Sequence, residues 1–243
     1  SSSRAIPVER MIEDLRRDPA MPVFWGRNKP GMQAGDEVDS IHNVTSDWLE
    51  GMENAIYKAQ KLMASGLHKQ IANRILEPWA HINVVVTATD YQNFYNLRRH
   101  KDAQPEIKAL ADAMWFAQQT SVPEFLDVGE WHLPFVTEED RREVNYGSSQ
   151  TYGWESLKRI STARCARVSF LTHEGKPSTI EEDLTLYERL VGSQPLHASP
   201  AEHQATPDDI GAGYTGEDWQ QPKLHGNFEG WIQHRKLLEL EVK

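Results

Sequence analysis

The chain has 243 residues, of which 39% are hydrophobic and 26% charged, with a formal net charge of −10 and one cysteine. The acidic balance excludes broad electrostatic binding to nucleic acid, because that requires a basic surface able to release phosphate counterions. No apolar run approaches the ~20 residues of a membrane helix, and a single cysteine is typical of a reducing compartment. We therefore expect one soluble, cytoplasmic domain over residues 1–243, with no membrane or nucleic-acid partner.

The first half of the chain is mostly helical by its pattern of apolar residues, caps and prolines. The most secure helix carries an apolar stripe, which consists of Trp48, Met52, Ile56, Ala59 and Met63. The predicted helices cover 6–18, 45–66, 66–78, 90–100 and 104–119. The β-branched residues at 81–89 predict a buried strand.

The second half begins with a segment of about 122–157 that is rich in Pro, Gly, acidic and aromatic residues, and we expect it to be irregular surface. Helices are predicted around 161–170 and from Ser178 or Thr179 to Gly192. A loop at 207–226 rich in Pro, Gly and Asp precedes a last segment at 228–241, to which the pattern assigns no role.

The stretch ARCARVSF, residues 163–170, holds the one cysteine between two arginines. An arginine on either side would stabilise a Cys165 thiolate, but no histidine lies nearby to act as a base, which favours a small buried hydrophobe. Arg164 and Arg167 are three residues apart and share a helix face. They can grip an anion or form salt bridges, and the spacing favours salt bridges.

The stretch HASPAEH, residues 197–203, combines two histidines with a glutamate. Its spacing does not place two metal ligands on one helical face, so we expect no metal site. The residues suit a helix start, with Ser199 as N-cap, Pro200 at the first position and Glu202 completing a capping box. An exposed helix N-terminus of this kind also suits a phosphate or cofactor contact.

These two stretches and NFYNLRRHKDAQPEI, residues 93–107, together resemble the flavin-dependent thymidylate synthases. They are similar to the family elements Ala-Arg-Val-Ser-Phe/Tyr, His-x-Thr-Pro-x-Glu-His and Asn-Phe-x-x-Leu-Arg…Ala-Gln-x-Glu-Ile. The resemblance implies an α/β (α+β) fold like that of the thymidylate synthase-complementing protein, helix-rich with a central mixed sheet. It also implies a homotetramer in which subunits share active sites.

The order of the family elements is changed in this chain, because the Ala-Arg-Val-Ser block comes last. This order resembles a circularly permuted form of the kind found in phage genomes, which would place the protein in a host cytoplasm. The family's signature has a His-Arg element followed by Ser-x-Arg, and residues 1–5, SSSRA, resemble its tail. We therefore expect the His-Arg element to precede Ser1 in the natural protein.

The resemblance implies roles for individual residues. Ser2 and Arg98 would be catalytic, and dUMP would be bound by a set that contains Ser2, Ser3, Arg4, Arg74 and Arg98. FAD would be contacted by Asn93, Ser169, His197, Ser199 and Glu202. Where the family has Asn-x-Arg, this chain has Thr87-Ala88-Thr89, which departs from the flavin contacts. Gln233 is a further candidate for the nucleotide.

The implied reaction is reductive methylation of dUMP to dTMP, with FAD as cofactor and NADPH and methylenetetrahydrofolate as co-substrates. In this family no protein cysteine attacks the base, in agreement with a buried Cys165. Two alternatives stay open: a related pyrimidine nucleotide hydroxymethylase, and a relative that binds flavin or nucleotide without turnover.

Overall fold

A computed structural model describes residues 6–145, 150–172, 175–193, 196–211 and 218–241. The contacts divide the chain into two units. Unit 1 comprises Ser1–Asn83 and Asp90–Val122, and unit 2 comprises Val84–Thr89 and Pro123–Lys243. The expectation of one domain over the whole chain stays a prediction. Each helix within the described ranges is too short or too polar to cross a lipid bilayer.

Unit 1 is built of helices, and the helices predicted for this half are confirmed with shifted ends. They are α1 (Val8–Arg17), α2 (Ile41–Ala64), α3 (Lys69–Ala72), a 3₁₀ helix (Asn73–Trp79), α4 (Gln92–Arg98) and α5 (Pro105–Thr120). Helix α2 begins at Ile41, four residues before the start of the predicted range 45–66. Pro78 lies inside the 3₁₀ helix rather than closing an α-helix.

The core of unit 1 forms where α1 packs on α2. Their buried residues recur at three- and four-residue intervals, so each helix has one apolar face. This core consists of Val8, Met11, Ile12, Leu15, Met52, Ile56, Ala59, Ala72 and Leu76. The predicted stripe of α2 therefore faces the core.

A tryptophan pair holds the 3₁₀ helix against α2. The rings of Trp48 and Trp79 lie 5.4 Å apart, and Trp79 Nε1 donates to the Trp48 carbonyl at 3.0 Å. Because both the rings and the indole N–H are engaged, this end of the 3₁₀ helix has a fixed position. The same helix carries Arg74.

The predicted buried strand at 81–89 is wrong for the single chain. No residue of this segment belongs to a strand, and Ile82, Val84 and Val86 are 68%, 64% and 58% exposed. β-branched residues favour a pleated, half-buried surface, which requires a neighbouring strand. The described part of this chain supplies no such neighbour.

Unit 2 combines helices with a short sheet. Its elements are α6 (Glu138–Asn145), α7 (Gln150–Arg167), α8 (Ile180–Val191), a 3₁₀ turn (Ser199–Glu202), β1 (Ala205–Pro207), a 3₁₀ turn (Pro222–Leu224), β2 (Trp231–Gln233) and α9 (His234–Glu241). Helix α7 packs against α6 and α8. Trp131, Leu133, Leu157 and Ile160 form the buried core beside it.

The helix-rich α/β class is confirmed, whereas the sheet is smaller than expected. Among the described residues it has two antiparallel strands, with Ala205 opposite Gln233, rather than a central mixed sheet. The strand predicted at 81–89, which would have enlarged it, is irregular.

The segment 122–157 is only partly irregular, which corrects the expectation. It contains α6 and the beginning of α7. A side-chain cap starts α6, because Thr137 Oγ1 accepts from the Asp140 N–H at 3.2 Å and Asp140 accepts from the Thr137 N–H at 2.7 Å. This reciprocal arrangement satisfies donors that a helix start leaves unpaired. The high density of charge hides this helix from a search for apolar periodicity.

Candidate functional site

Helix α4 carries two of the predicted site residues of unit 1, Asn93 and Arg98. Asp90 accepts from the backbone N–H of Gln92 at 2.6 Å and so begins the helix. Tyr95 is buried and faces α5, while Asn93 and Arg98 are exposed. Both side chains are therefore available to a ligand.

Two neighbouring arginines at the end of α4 have opposite environments. Arg99 donates to Asp112 at 2.8 Å and lies 4.0 Å from the ring centre of Trp115, so it fastens α4 to α5. Arg98 forms no ion pair within the described residues and is exposed. In an acidic protein, a cation without a carboxylate partner is suited to an anionic or electron-rich ligand.

Arg74 is exposed on the 3₁₀ helix of unit 1. It donates to Glu77, three residues later, at 3.3 Å, and their side chains are 56% and 40% exposed. An ion pair this exposed is worth about 0–1 kcal/mol, so a dianionic ligand can displace the carboxylate. Ser2, Ser3 and Arg4 lie outside the described residues.

In unit 2, Ser169 lies two residues beyond the end of α7 at Arg167. The Val168 N–H donates to the Cys165 carbonyl at 3.1 Å, and the Ser169 N–H donates to the Arg164 carbonyl at 3.3 Å. This pair of bonds closes the helix with Val168 in the left-handed region at φ 54°. A β-branched residue is strained there, by about 1–2 kcal/mol. The two hydrogen bonds and the left-handed Val168 together determine the direction of the backbone at the half-buried Ser169.

Arg164 and Arg167 form salt bridges, as their spacing favours. Arg164 donates to Asp140 at 2.7 and 2.8 Å and to Asp183 at 2.7 Å, and Arg167 also pairs with Asp183. Burial alone would raise the pKa of Asp140, but hydrogen bonds from Arg164 and Thr137 hold it below its usual value. Both arginines are therefore paired with aspartates inside the protein.

Cys165 is buried, which confirms the core interpretation. It is 4% exposed, and burial raises the pKa of its thiol to about 12. The Gln204 side-chain amide lies 3.4 Å from the sulfur. A thiol with this pKa holds almost no thiolate at neutral pH, so it cannot serve as a nucleophile.

The block 197–203 folds as one 3₁₀ turn rather than the expected capped helix. Ser199 forms no capping hydrogen bond and is exposed, as is His197. The Glu202 carboxylate, expected in a capping box, instead accepts from Arg235 Nη1 at 2.8 Å. A turn of four residues is also too short to supply a helix dipole, so the hypothesis of a helix N-terminus for phosphate is wrong.

The segment Thr87-Ala88-Thr89, which departs from the family pattern, is part of unit 2. Thr87 Oγ1 lies 3.1 Å from His203 Nδ1, and Thr89 Oγ1 accepts from the backbone N–H of Glu229 at 3.3 Å. Burial lowers the pKa of His203, which favours the neutral imidazole. Both hydroxyls therefore make contacts within the protein.

Two residues of the last segment contact Glu202 of this block: Gln233, a candidate for the nucleotide, and Arg235, to which the sequence patterns assign no role. Gln233 is 2% exposed, and its Nε2 donates to the Glu202 carbonyl at 3.0 Å and to Asn227 Oδ1 at 2.8 Å. Its amide nitrogen is thus occupied within the protein. The one sequence signal for Arg235 is its charge, and its partner lies 33 residues away.

The structure distributes the predicted residues over the two units. Helix α4 carries Asn93 and Arg98, with Arg74 on a separate helix of the same unit. In unit 2, α7 packs on the 3₁₀ turn of the 197–203 block, and Ser169 follows the end of that helix.

Comparison with known proteins links part of the chain to one protein family. The model of the family described as thymidylate synthase complementing protein matches residues 17–124. No curated protein and no solved structure matches the chain. The matched segment includes Arg74, Asn93 and Arg98, whereas the blocks at 163–170 and 197–203 lie outside it. Over this segment the match confirms the family resemblance that the motif at 93–107 indicates, and it supports a thymidylate synthase-complementing function in general terms.

Proposed function

The segment 17–124 belongs to the thymidylate synthase complementing protein family, and from this premise we propose that the protein is a flavin-dependent thymidylate synthase acting on dUMP. The observation that carries the proposal is the state of Arg74 and Arg98. Both lie in the family segment, both are exposed, and neither is committed to a buried partner.

The two arginines suit the two ends of a pyrimidine nucleotide. A guanidinium presents a planar fork of donors, which matches a phosphate and also the carbonyl edge of uracil. We assign Arg74 to the phosphate and Arg98 to the base. Ser2, Ser3 and Arg4 complete the proposed dUMP set, with Ser2 beside the ring.

The polar groups proposed for FAD fit part of that cofactor. Ser169 and Ser199 offer hydroxyls, His197 an exposed imidazole, and Glu202 a half-exposed carboxylate. A carboxylate accepts hydrogen bonds from hydroxyls and repels phosphate, so this set suits the hydroxyl-bearing chain of the cofactor. Arg164 and Arg167 are paired with aspartates, so we do not assign them to the diphosphate. Asn93 is the proposed contact in unit 1.

When bound, FAD supplies hydride transfer to the pyrimidine, with NADPH as reductant and methylenetetrahydrofolate as the carbon source. The chain's own residues position and polarise the substrate. Arg98 withdraws electron density from the uracil carbonyl, which makes the ring more susceptible to attack, and Arg74 fixes the phosphate. The buried Cys165 has no part in this scheme.

We further propose a homotetramer that shares active sites between subunits and works in the cytoplasm, a host cytoplasm if the protein is phage-encoded. Exposed apolar side chains support an assembly. Ile82, Val84 and Val86 of the segment 81–89 are all more than half exposed, and Phe116 of α5 is 64% exposed. Apolar surface of this kind is typical of a protein–protein contact.

The proposal is tested by incubating the protein anaerobically with dUMP, methylenetetrahydrofolate, FAD and NADPH and separating the nucleotides by chromatography. The expected product is dTMP, and none should form without FAD. A hydroxymethylated nucleotide would instead identify a sister reaction. Binding of FAD and dUMP with no product would indicate a relative without turnover.

A further inference from the structure

The segment 231–235 holds the block 197–203 by its main chain. Strand β2 pairs with β1, which begins three residues after Glu202, in the register Ala205 opposite Gln233. The His234 N–H donates to the Gln204 carbonyl at 2.9 Å. The Gln233 side chain also donates to the Glu202 carbonyl, at 3.0 Å. The backbone on both sides of His203 is thereby fixed.

One contact of the segment 231–235 reaches a side chain of the proposed flavin set. Arg235 Nη1 donates to Glu202 Oε2 at 2.8 Å, and the two side chains are 38% and 37% exposed. Water screens a pair this exposed, so it contributes little to folding stability. Its main physical consequence is the orientation of the carboxylate.

The pair leaves half of the carboxylate free. Within the described residues, Glu202 Oε1 accepts no hydrogen bond, whereas Oε2 is engaged by Arg235. A carboxylate that is held by one oxygen keeps acceptor sites on the other. Such an arrangement is suited to receiving a donor from a ligand in a defined direction.

We infer that Arg235 is a positioning residue for flavin binding, which holds Glu202 Oε2 so that Oε1 accepts from a hydroxyl of the bound cofactor. This inference rests on the proposed function, since it takes Glu202 as a flavin contact. It assigns a role to the segment 228–241, to which the sequence pattern gave none.

The test is a double-mutant cycle on FAD affinity, read from flavin fluorescence and the visible absorption of bound FAD. The variants are Glu202→Gln, Arg235→Met and both together, with Arg235→Lys as the conservative change. Arg159→Met is the matched control, because Arg159 is also 38% exposed and pairs with Glu188 at 3.0 Å, on helices α7 and α8.

Each single variant is expected to raise the Kd for FAD roughly tenfold, the effect of losing one charged hydrogen bond. The double variant should be no worse than either single variant, because both remove the same contact. Arg235→Lys should recover most of the affinity, and Arg159→Met should bind as the wild type does. Unfolding temperatures should stay close together throughout.

Two results would overturn the inference. The first is a Kd for FAD that stays unchanged in Arg235→Met although Glu202→Gln weakens binding. The second is a double variant whose rise in Kd equals the product of the two single rises. If Arg235→Met does not fold, Arg235→Gln gives the same comparison with a polar side chain. A wild-type protein that binds no FAD would instead count against the proposed function, which separates the two failures.

Discussion

Two pairs of arginines show how one residue type takes opposite roles in this protein. Arg164 and Arg167 lie at the end of α7, nearly buried, where they share Asp183 and where Arg164 also grips Asp140. Arg74 and Arg98 lie in unit 1, exposed, with at most one weak carboxylate partner within the described residues. Sequence motifs draw attention to both pairs equally.

The two pairs differ in how many guanidinium donors remain available to a ligand. A buried arginine must be paired within the fold, because an unpaired buried charge is too costly, and most of its donors are then used inside the protein. An exposed arginine keeps its donors, contributes little to stability and can be reserved for binding. The comparison therefore predicts that stability and nucleotide affinity depend on different arginines.

The largest expected effect comes from Arg164→Met. It leaves Asp140 without its cation and Asp183 with only Arg167, and breaking a buried pair from one side costs about 3–5 kcal/mol. Urea denaturation followed by circular dichroism measures the loss. The control Arg159→Met breaks more exposed pairs, with Glu155 and Glu188, and should cost less, about 1 kcal/mol. Equal losses of unfolding free energy in the two variants would contradict the contrast between buried and exposed arginines.

The buried imidazole of His234 extends the comparison to a buried ionisable group that has no hydrogen-bond partner in the described part of the chain. Both ring nitrogens of His234 lack a hydrogen-bond partner within the described residues, and burial, with help from Lys158, lowers its pKa from 6.5 to about 4. The unfolded chain therefore takes up the proton first, and stability present above pH 6.5 is lost as the pH falls toward 4. The loss amounts to about 3 kcal/mol.

Denaturation midpoints at pH 7.5 and 4.5, compared between wild type and His234→Phe, measure this contribution. The phenyl ring keeps the stacking position beside Tyr187 and removes the titrating group. The variant should lose clearly less stability than the wild type over this range. An identical loss in both proteins would show that His234 is not the group responsible.

Arg74→Ala tests the exposed side of the comparison. Nucleotide affinity should fall so far that dUMP binding is no longer detected, because the phosphate loses its charged donor, while stability changes by less than about 0.5 kcal/mol. Isothermal titration with dUMP gives the affinity. Arg17→Ala is the matched control, since it breaks another exposed pair at a spacing of three, with Asp14. Unchanged affinity in Arg74→Ala would refute the phosphate assignment.

Val168→Gly tests the strained end of α7, between the buried arginines and Ser169. Glycine adopts the left-handed region freely, so the variant should gain about 0.5–1 kcal/mol after the entropic cost of glycine. Thermal unfolding measures the gain, and Val168→Ala, which keeps the strain, is the control. A variant less stable than wild type would mean that Val168 packing outweighs its strain.

The smallest effect is expected for Cys165→Ser. A buried thiol that lies between two structural arginines and has a pKa of about 12 does no chemistry, so turnover should be nearly normal. A coupled assay of dTMP formation measures it. Complete loss of turnover in a folded, flavin-loaded variant would restore Cys165 as a nucleophile.

The helices were the predictable part of the fold, because caps and apolar spacing are local signals. The stripe of α2 and the cap of α8 at Thr179 appear as expected, and the structure adds a capping box of Thr179 with Glu182. The segment 81–89 failed because a strand depends on a neighbour that local sequence does not specify. Helix α6 was missed because its surface is nearly all charged.

For the candidate site, the sequence motifs predicted which residues to consider but not which partners they contact. Spacing indicated that Arg164 and Arg167 form salt bridges, but Asp140 and Asp183 as partners come from tertiary structure. Glu202 was expected to cap its own helix, and a cation 33 residues away in sequence took its carboxylate instead. Contacts of this range leave no mark in local spacing.

The most direct test of the proposed function is the visible absorption spectrum of the purified protein supplied with FAD, followed anaerobically with NADPH in the presence and absence of dUMP. The account predicts bound flavin that bleaches faster when dUMP is present, since flavin reduction would then be coupled to substrate binding. A protein that acquires no flavin spectrum when FAD is added would contradict it.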